Sequence, residues 1–152
     1  MIDNSIYEMI LKIFLTVLLS GIIGGERELR QRAAGLRTHV LVAVGSALIV
    51  LTSISISEEF KNVYMTDPTR IISNIVTGIG FLCAGTIIRG GAQIRGLTTA
   101  ATVWIVSAIG MAVGAGCYTL SIVVTIVVFI VLVGLRSVEK KIGEHIQEFQ
   151  KK

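Results

Sequence analysis

Two groups of charged side chains stand at the ends of apolar segments, where a carboxylate can hold a cation or an arginine. The first reads Gly24-Gly25-Glu26-Arg27-Glu28, then Arg30, Arg32, Gly35, Arg37, Thr38 and His39. A carboxylate at Glu26 could bind a cation or pair with an arginine. An ordinary interfacial charge cluster that fixes orientation in a bilayer explains the same residues, and spacing alone favours it. His39 could titrate or bind a metal, but a lone histidine reads first as a satisfied packing residue.

The second group is Asp67-Pro68-Thr69-Arg70, followed by Asn74, Thr77 and Gly78. Asp67 can cap a helix with Pro68 in its first turn. Arg70, Asn74 and Thr77 then follow at steps of four and three, on one face. In lipid a polar stripe must face other helices or water. It serves an ion or proton path, a partner contact, or helix-to-helix hydrogen bonding, and the sequence leaves these open. A third group joins Gly78, Gly80 and Gly85 to Arg89, Arg95, Gly96, Thr98, Thr99 and Thr102. Small residues let helices approach closely, and the Gly21/Gly25 and Gly110/Gly114 spacings add to that reading. The threonines could line a cation path, although packing explains them more simply. Arg89 and Arg95 flank a short Gly-rich loop that could attract an anionic headgroup. It lacks the Walker pattern, so nucleotide binding is not inferred.

Nothing here asks for an enzyme. The serines are scattered, His39 and His145 are isolated, and neither HExxH nor GxSxG occurs. Cys83 and Cys117 form no CxxC, so neither a zinc site nor a disulfide framework is indicated. No metal ligand set can be assigned and no cofactor is expected, with Mg²⁺ retained as a ligand or substrate. The net charge of +4 is not a nucleic-acid footprint, because the basic residues lie in short segments between apolar runs.

Those runs dictate the architecture. Of 152 residues 53% are hydrophobic and only 16% are charged, a composition that suits lipid better than water. A spanning helix needs about 20 apolar residues. Candidate spans cover residues 7–25, 38–57 and 71–88, followed by a 40-residue uncharged run from Gly96 to Leu135. As one helix that run would reach about 60 Å, twice the hydrocarbon thickness, so it must turn. Gly114-Ala115-Gly116-Cys117 divides it into spans 96–113 and 117–135. The expected fold is all-α: a polytopic membrane bundle of about five transmembrane helices in one domain, residues 1–135. Asp3 and Glu8 precede the first apolar stretch and its positive charges follow it, so it reads as a retained anchor rather than a signal peptide.

Five spans put the termini on opposite sides. Arg27, Arg30, Arg32, Arg37, Arg89, Arg95, Arg136, Lys140, Lys141, Lys151 and Lys152 then share one side, against Lys12, Lys61 and Arg70 on the other. The positive-inside rule places the N-terminus outside and the C-terminus in the cytoplasm. In the tail, residues 136–152, Val138, Ile142, Ile146 and Phe149 continue a stripe from Leu135 at helical steps. It reads equally as an amphipathic helix for the membrane surface or a partner and as a solvated extension of the last span.

Three strings carry a family resemblance: GGERELRQRAAGLRTHVLVAVGSAL, DPTRIISNIVTGIGFLCAGTIIR and IRGLTTAATVWIVSAIGMAVGAG. In that order, across Gly21 to Gly116, they resemble the MgtC/SapB family of bacterial inner-membrane proteins. The resemblance carries onto Glu26, Arg27, Gly35, Arg37, His39, Asp67, Pro68, Arg70, Gly78, Gly80, Phe81, Gly85, Arg89, Arg95, Gly96, Leu97, Thr98, Thr99 and Ala100. Asn74 falls where virulence-associated members have an important polar residue. Cys83 departs from the pattern, which commonly has glycine there. The resemblance implies a multi-pass inner-membrane protein of magnesium and ion homeostasis and stress adaptation. It implies regulation of a membrane ATPase or Mg²⁺ transporter, with Mg²⁺ or proton transport as the alternative. A homo-oligomer is compatible with the small-residue faces. The long cytoplasmic ACT-like domain of the best-known members has no counterpart after residue 152, so the expectation is the short, membrane-only form.

Overall fold

A computed structural model describes residues 2–60, 67–91 and 93–150, with side chains described at 6–60, 67, 69–91 and 93–135. Lys61, Lys151, Lys152 and the side chains of the tail stripe from Val138 to Phe149 lie outside the described residues. The helices are α1 (Ile2–Leu29), α2 (Leu36–Phe60), α3 (Pro68–Thr86), α4 (Leu97–Gly114) and α5 (Tyr118–Gln150). A small antiparallel hairpin, β1 (Ile88–Gly90) and β2 (Gln93–Arg95), joins α3 to α4. The fold is an all-α membrane bundle.

Four helices, α1, α2, α4 and α5, are long and apolar enough to cross a membrane. The third has the length, about 28 Å for its 19 residues. It is more polar than the others because Arg70, Ser73, Asn74 and Thr77 lie along it. The expected third span of 71–88 also overruns: the helix ends at Thr86, and Ile88 enters the hairpin where a plain loop was expected. The helix does begin as its sequence suggests. The Asp67 carboxylate accepts from the Thr69 amide at 2.9 Å, and Pro68 occupies the first turn.

The helix ends follow backbone chemistry. After α4, Cys117 N–H reaches the Ala112 carbonyl and Gly116 N–H the Val113 carbonyl, with Gly116 at φ +85. This is a Schellman turn with glycine in its left-handed position, inside the turn read from the sequence. The same turn ends α1, with Arg32 N–H on the Arg27 carbonyl and Gln31 N–H on the Glu28 carbonyl. There the left-handed residue is Gln31 at φ +52. No glycine announces that stop, and α1 runs four residues past the expected boundary at Gly25.

Every other helix packs on α4. It is uncharged and apolar around its whole circumference, the pattern of a helix enclosed by others. Val106, Ile109 and Val113 are buried against Leu19, Ile23 and Ala43, and Val103 against Ala34 and Cys83. The tightest contact is with α2. A Cβ on Gly110 would stand 2.1 Å from the Ala43 carbonyl oxygen, and one on Gly114 2.9 Å from that of Ala47. Glycine is required where backbones touch in this way. The α1–α2 approach uses Gly24, whose Cβ would fall 2.9 Å from that of His39. Gly21 makes only ordinary contact with Leu36. Gly25, Gly78, Gly80 and Gly85, expected at packing contacts, have open space where a Cβ would stand among the described residues. Lipid-sized apolar side chains such as Phe14, Leu41, Phe81 and Ile130 are exposed around the outside, as a bilayer solvent permits.

Candidate functional site

The polar residues collect along two lines inside the apolar bundle. At the end of α1, Glu26 and Arg27 are buried, 7% and 5% exposed. Their side chains form an ion pair, and Arg30, one turn on, reaches the other Glu26 oxygen at 3.4 Å. A buried carboxylate with two guanidinium partners is satisfied as an acceptor. Glu28, on the exposed side, turns the other way: its Oε2 accepts from the Leu36 amide at 3.0 Å and so caps the start of α2. Gly35 leaves room for this carboxylate, since a Cβ there would overlap it.

His39 is fully buried one turn into α2. Its Nδ1 lies 2.7 Å from the Gly35 carbonyl and its Nε2 3.0 Å from the Thr102 hydroxyl of α4. A carbonyl can only accept, so Nδ1 carries a proton. Two turns on, Ser46 meets Ser107 of α4 at 2.7 Å. Two further turns on, the buried Ser53 hydroxyl has no partner among the described residues. His39, Ser46 and Ser53 recur at steps of seven, which puts them on one helix face. That period is present in the sequence, but three small or polar residues seven apart carry no signal of what stands opposite them, and the same holds for Gly24, Glu28 and Thr102.

The remaining candidates divide by position. Thr98 and Thr99 begin α4 beside Glu26 and Arg27, and all four line one cleft. Arg37 is exposed on the first turn of α2. Arg89 and Arg95 are exposed on the hairpin, where the Arg95 guanidinium donates to Gln93 at 3.3 Å. Asp67, Arg70 and Asn74 are exposed near the other end of α2, far in the fold from Glu26, and Asn74 lines an apolar groove between α2 and α3. The Asp67 carboxyl sits below its ordinary value, held there first by the Thr69 hydroxyl and then by the Thr69 amide. Among the described residues no three His, Cys, Asp or Glu side chains group as a metal site. Cys83, buried between α3 and α4, donates to the Ala100 carbonyl at 3.2 Å.

A sequence profile for the MgtC family matches residues 13–141. The chain belongs to the MgtC family. Its likeness to Protein MgtC of Salmonella typhimurium is 41% identity over 138 residues, 91% of this chain and 57% of that protein. It is 42% identical over 130 residues to YhiD of Escherichia coli K12, which carries a provisional magnesium-transporter name; the match covers 82% of this chain and 59% of YhiD. A Synechocystis protein shares 39% identity over 129 residues, 85% of this chain and 53% of its own length. The chain thus spans little more than half the length of the curated relatives it matches. No solved structure matches it. MgtC-family membership and the apolar helices together make the chain a multi-pass protein of the inner membrane.

Proposed function

We propose that this MgtC-family chain serves magnesium and ion homeostasis by regulating a membrane ATPase or transporter through its helix faces, rather than by carrying Mg²⁺ itself. The family and the names of its relatives support the coarse role. The α2–α4 contact supports the finer one. The two backbones meet at Gly110 and Gly114, and the polar groups between them bond to each other. Mg²⁺ keeps several waters and takes oxygen ligands in a strict geometry, and a contact that tight holds neither. The acidic side chains among the described residues lie toward the helix ends, at Glu8, Glu26, Glu28, Glu58, Glu59 and Asp67. The exposed faces of α3 and α5 offer area to a lipid-embedded partner or a second copy.

Transport of protons is the second reading, and the His39–Thr102 and Ser46–Ser107 pairs are the observation that favours it. Reconstitution separates the two. Purified chain in liposomes, under imposed Mg²⁺ and proton gradients, is expected to show no flux above empty vesicles. Flux that Glu26→Gln, His39→Leu or Asp67→Asn abolishes would overturn regulation in favour of transport.

A further inference from the structure

Where α1 ends and α4 begins, a cleft of about 570 Å³ opens beside α5. One wall holds Glu26, Arg27, Arg30 and Arg32, and the opposite wall is the first turn of α4. Three arginines against one glutamate leave the lining net positive. Glu26 engages Arg27 and Arg30, whereas Arg32 has no ion pair among the described residues. The start of α4 is open. Gly96 precedes it at φ +92, and no side chain caps it. Its first-turn amides therefore point outward with the positive end of the helix dipole.

Thr99 gives the independent sign of a ligand. It is 5% exposed, it lines the cleft, and its hydroxyl has no hydrogen-bond partner among the described residues. Most other buried helix hydroxyls here have one: Thr16, Ser20, Ser121 and Thr125 all donate to the carbonyl four residues back. Unlike the sealed Ser53 hydroxyl, that of Thr99 keeps access to the cleft, so the partner it lacks within the fold is one the cleft supplies. Guanidinium groups, helix-start amides and a free hydroxyl converging on one space are the donor set of a phosphate site.

We infer that this cleft binds a phosphate-bearing anion. The α5 wall extends the chemistry. Val131, Leu132 and Leu135 close the cleft with apolar surface, and Leu135 is the last residue before the first charge of the tail. The site therefore opens where the apolar run of α5 ends, at the level of lipid headgroups. An acidic phospholipid would place its phosphate among the arginines and its glycerol and acyl chains along α5. A soluble phosphate would use the arginines and Thr99 alone.

The test uses the purified full chain in neutral detergent, titrated separately with short-chain phosphatidylglycerol and with inorganic phosphate. Binding is read by native mass spectrometry and microscale thermophoresis. Saturable binding of at least one probe is expected. Phosphatidylglycerol alone identifies a lipid site, and phosphate as well identifies a general phosphate site. Arg30 and Arg32 are exposed, so the doubly substituted Arg30→Gln/Arg32→Gln chain folds, and its affinity falls at least tenfold. Thr99→Val lowers affinity at least threefold, with Thr99→Ala read in its place if the valine variant does not fold. Lys12→Gln, toward the other end of α1, binds as the parent does. Three outcomes overturn the site: neither probe saturates; the arginine pair can be removed without effect; or the arginines matter and the Thr99 hydroxyl does not, which is attraction to exposed surface charge.

Discussion

His39 and Thr102 join α2 to α4 through a 3.0 Å contact between Nε2 and Oγ1. The same Thr102 hydroxyl lies 2.9 Å from the Thr99 carbonyl, and it has one proton for the two acceptors. With the imidazole neutral, Nδ1–H donates to Gly35 and the Nε2 lone pair accepts from Thr102. With the imidazole doubly protonated, Nε2–H donates and the hydroxyl turns to Thr99. Nitrogen-15 spectra should therefore show the Nδ1–H tautomer in neutral His39, and Thr102→Val should move the Nε2 resonance. The same substitution should destabilise the bundle by about 0.6 kcal/mol, the average for such bonds in membranes. An Nε2–H tautomer in the neutral ring would refute the assignment.

Gly110 tests whether α2 and α4 are held at backbone contact. A methyl group there would stand 2.1 Å from the Ala43 carbonyl oxygen, an atom that cannot move without its helix. Gly110→Ala should cost about 1–3 kcal/mol in thermal or steric-trapping unfolding, the range of overpacked cores. Gly114→Ala should cost less, because the nearest backbone oxygen is 2.9 Å away. Gly45→Ala, with nothing within 4 Å, is the control and should be neutral or slightly stabilising.

The Glu26–Arg27 pair is predicted to be hard to break from one side. Both groups are buried. Glu26→Gln leaves the guanidinium of Arg27 buried with no full counter-charge, which should cost about 3 kcal/mol. The double change Glu26→Gln/Arg27→Leu should cost less than the sum of the single changes. Additive losses in a double-mutant cycle would show that the pair is not coupled.

Asp67 gives a pH dependence of definite sign. Its carboxyl is held below the ordinary value by the Thr69 hydroxyl and amide. A depressed folded-state value means the cap is fully effective above the unfolded value of about 3.9 and is lost as pH falls through the lower folded one. The start of α3 should then be unchanged from pH 7 to about 5 and fray only in stronger acid. Carbon-13 titration of the Asp67 carboxyl should show the low value, and Thr69→Ala should raise it. Asp67→Asn keeps an acceptor and should abolish the pH dependence of the cap.

The sidedness of the bundle rests on charge. If α3 crosses along with the four more apolar helices, Arg27 through Arg37 share a side with the tail. Reporters fused after Cys117 and after Gln150 should then give opposite locations, with the latter cytoplasmic. Matching locations would mean that α5 does not cross.

The sequence by itself determined the helices, the lipid environment and the family, because each rests on local and one-dimensional quantities. Apolar run lengths fix how many helices a bilayer can accept. Asp67-Pro68 marks the start of α3, and Gly116 marks the turn between α4 and α5. The stop of α1 was not legible, since a left-handed Gln31 carries none of the signal that glycine does. Tertiary structure decided which polar residues meet. Ser46 and Ser107 are 61 positions apart, and His39 and Thr102 are 63; only the approach of α2 to α4 at Gly110 and Gly114 pairs them. It also decided which glycines matter: Gly24 and Gly110 touch backbone, while Gly25 and Gly80 face open space. A spacing motif records that two residues share a helix face, but it cannot record what stands opposite. Glu26 is an arginine-paired carboxylate whose neighbours Arg30, Arg32 and Thr99 line a cleft, because the Schellman turn after α1 returns the chain toward the start of α4.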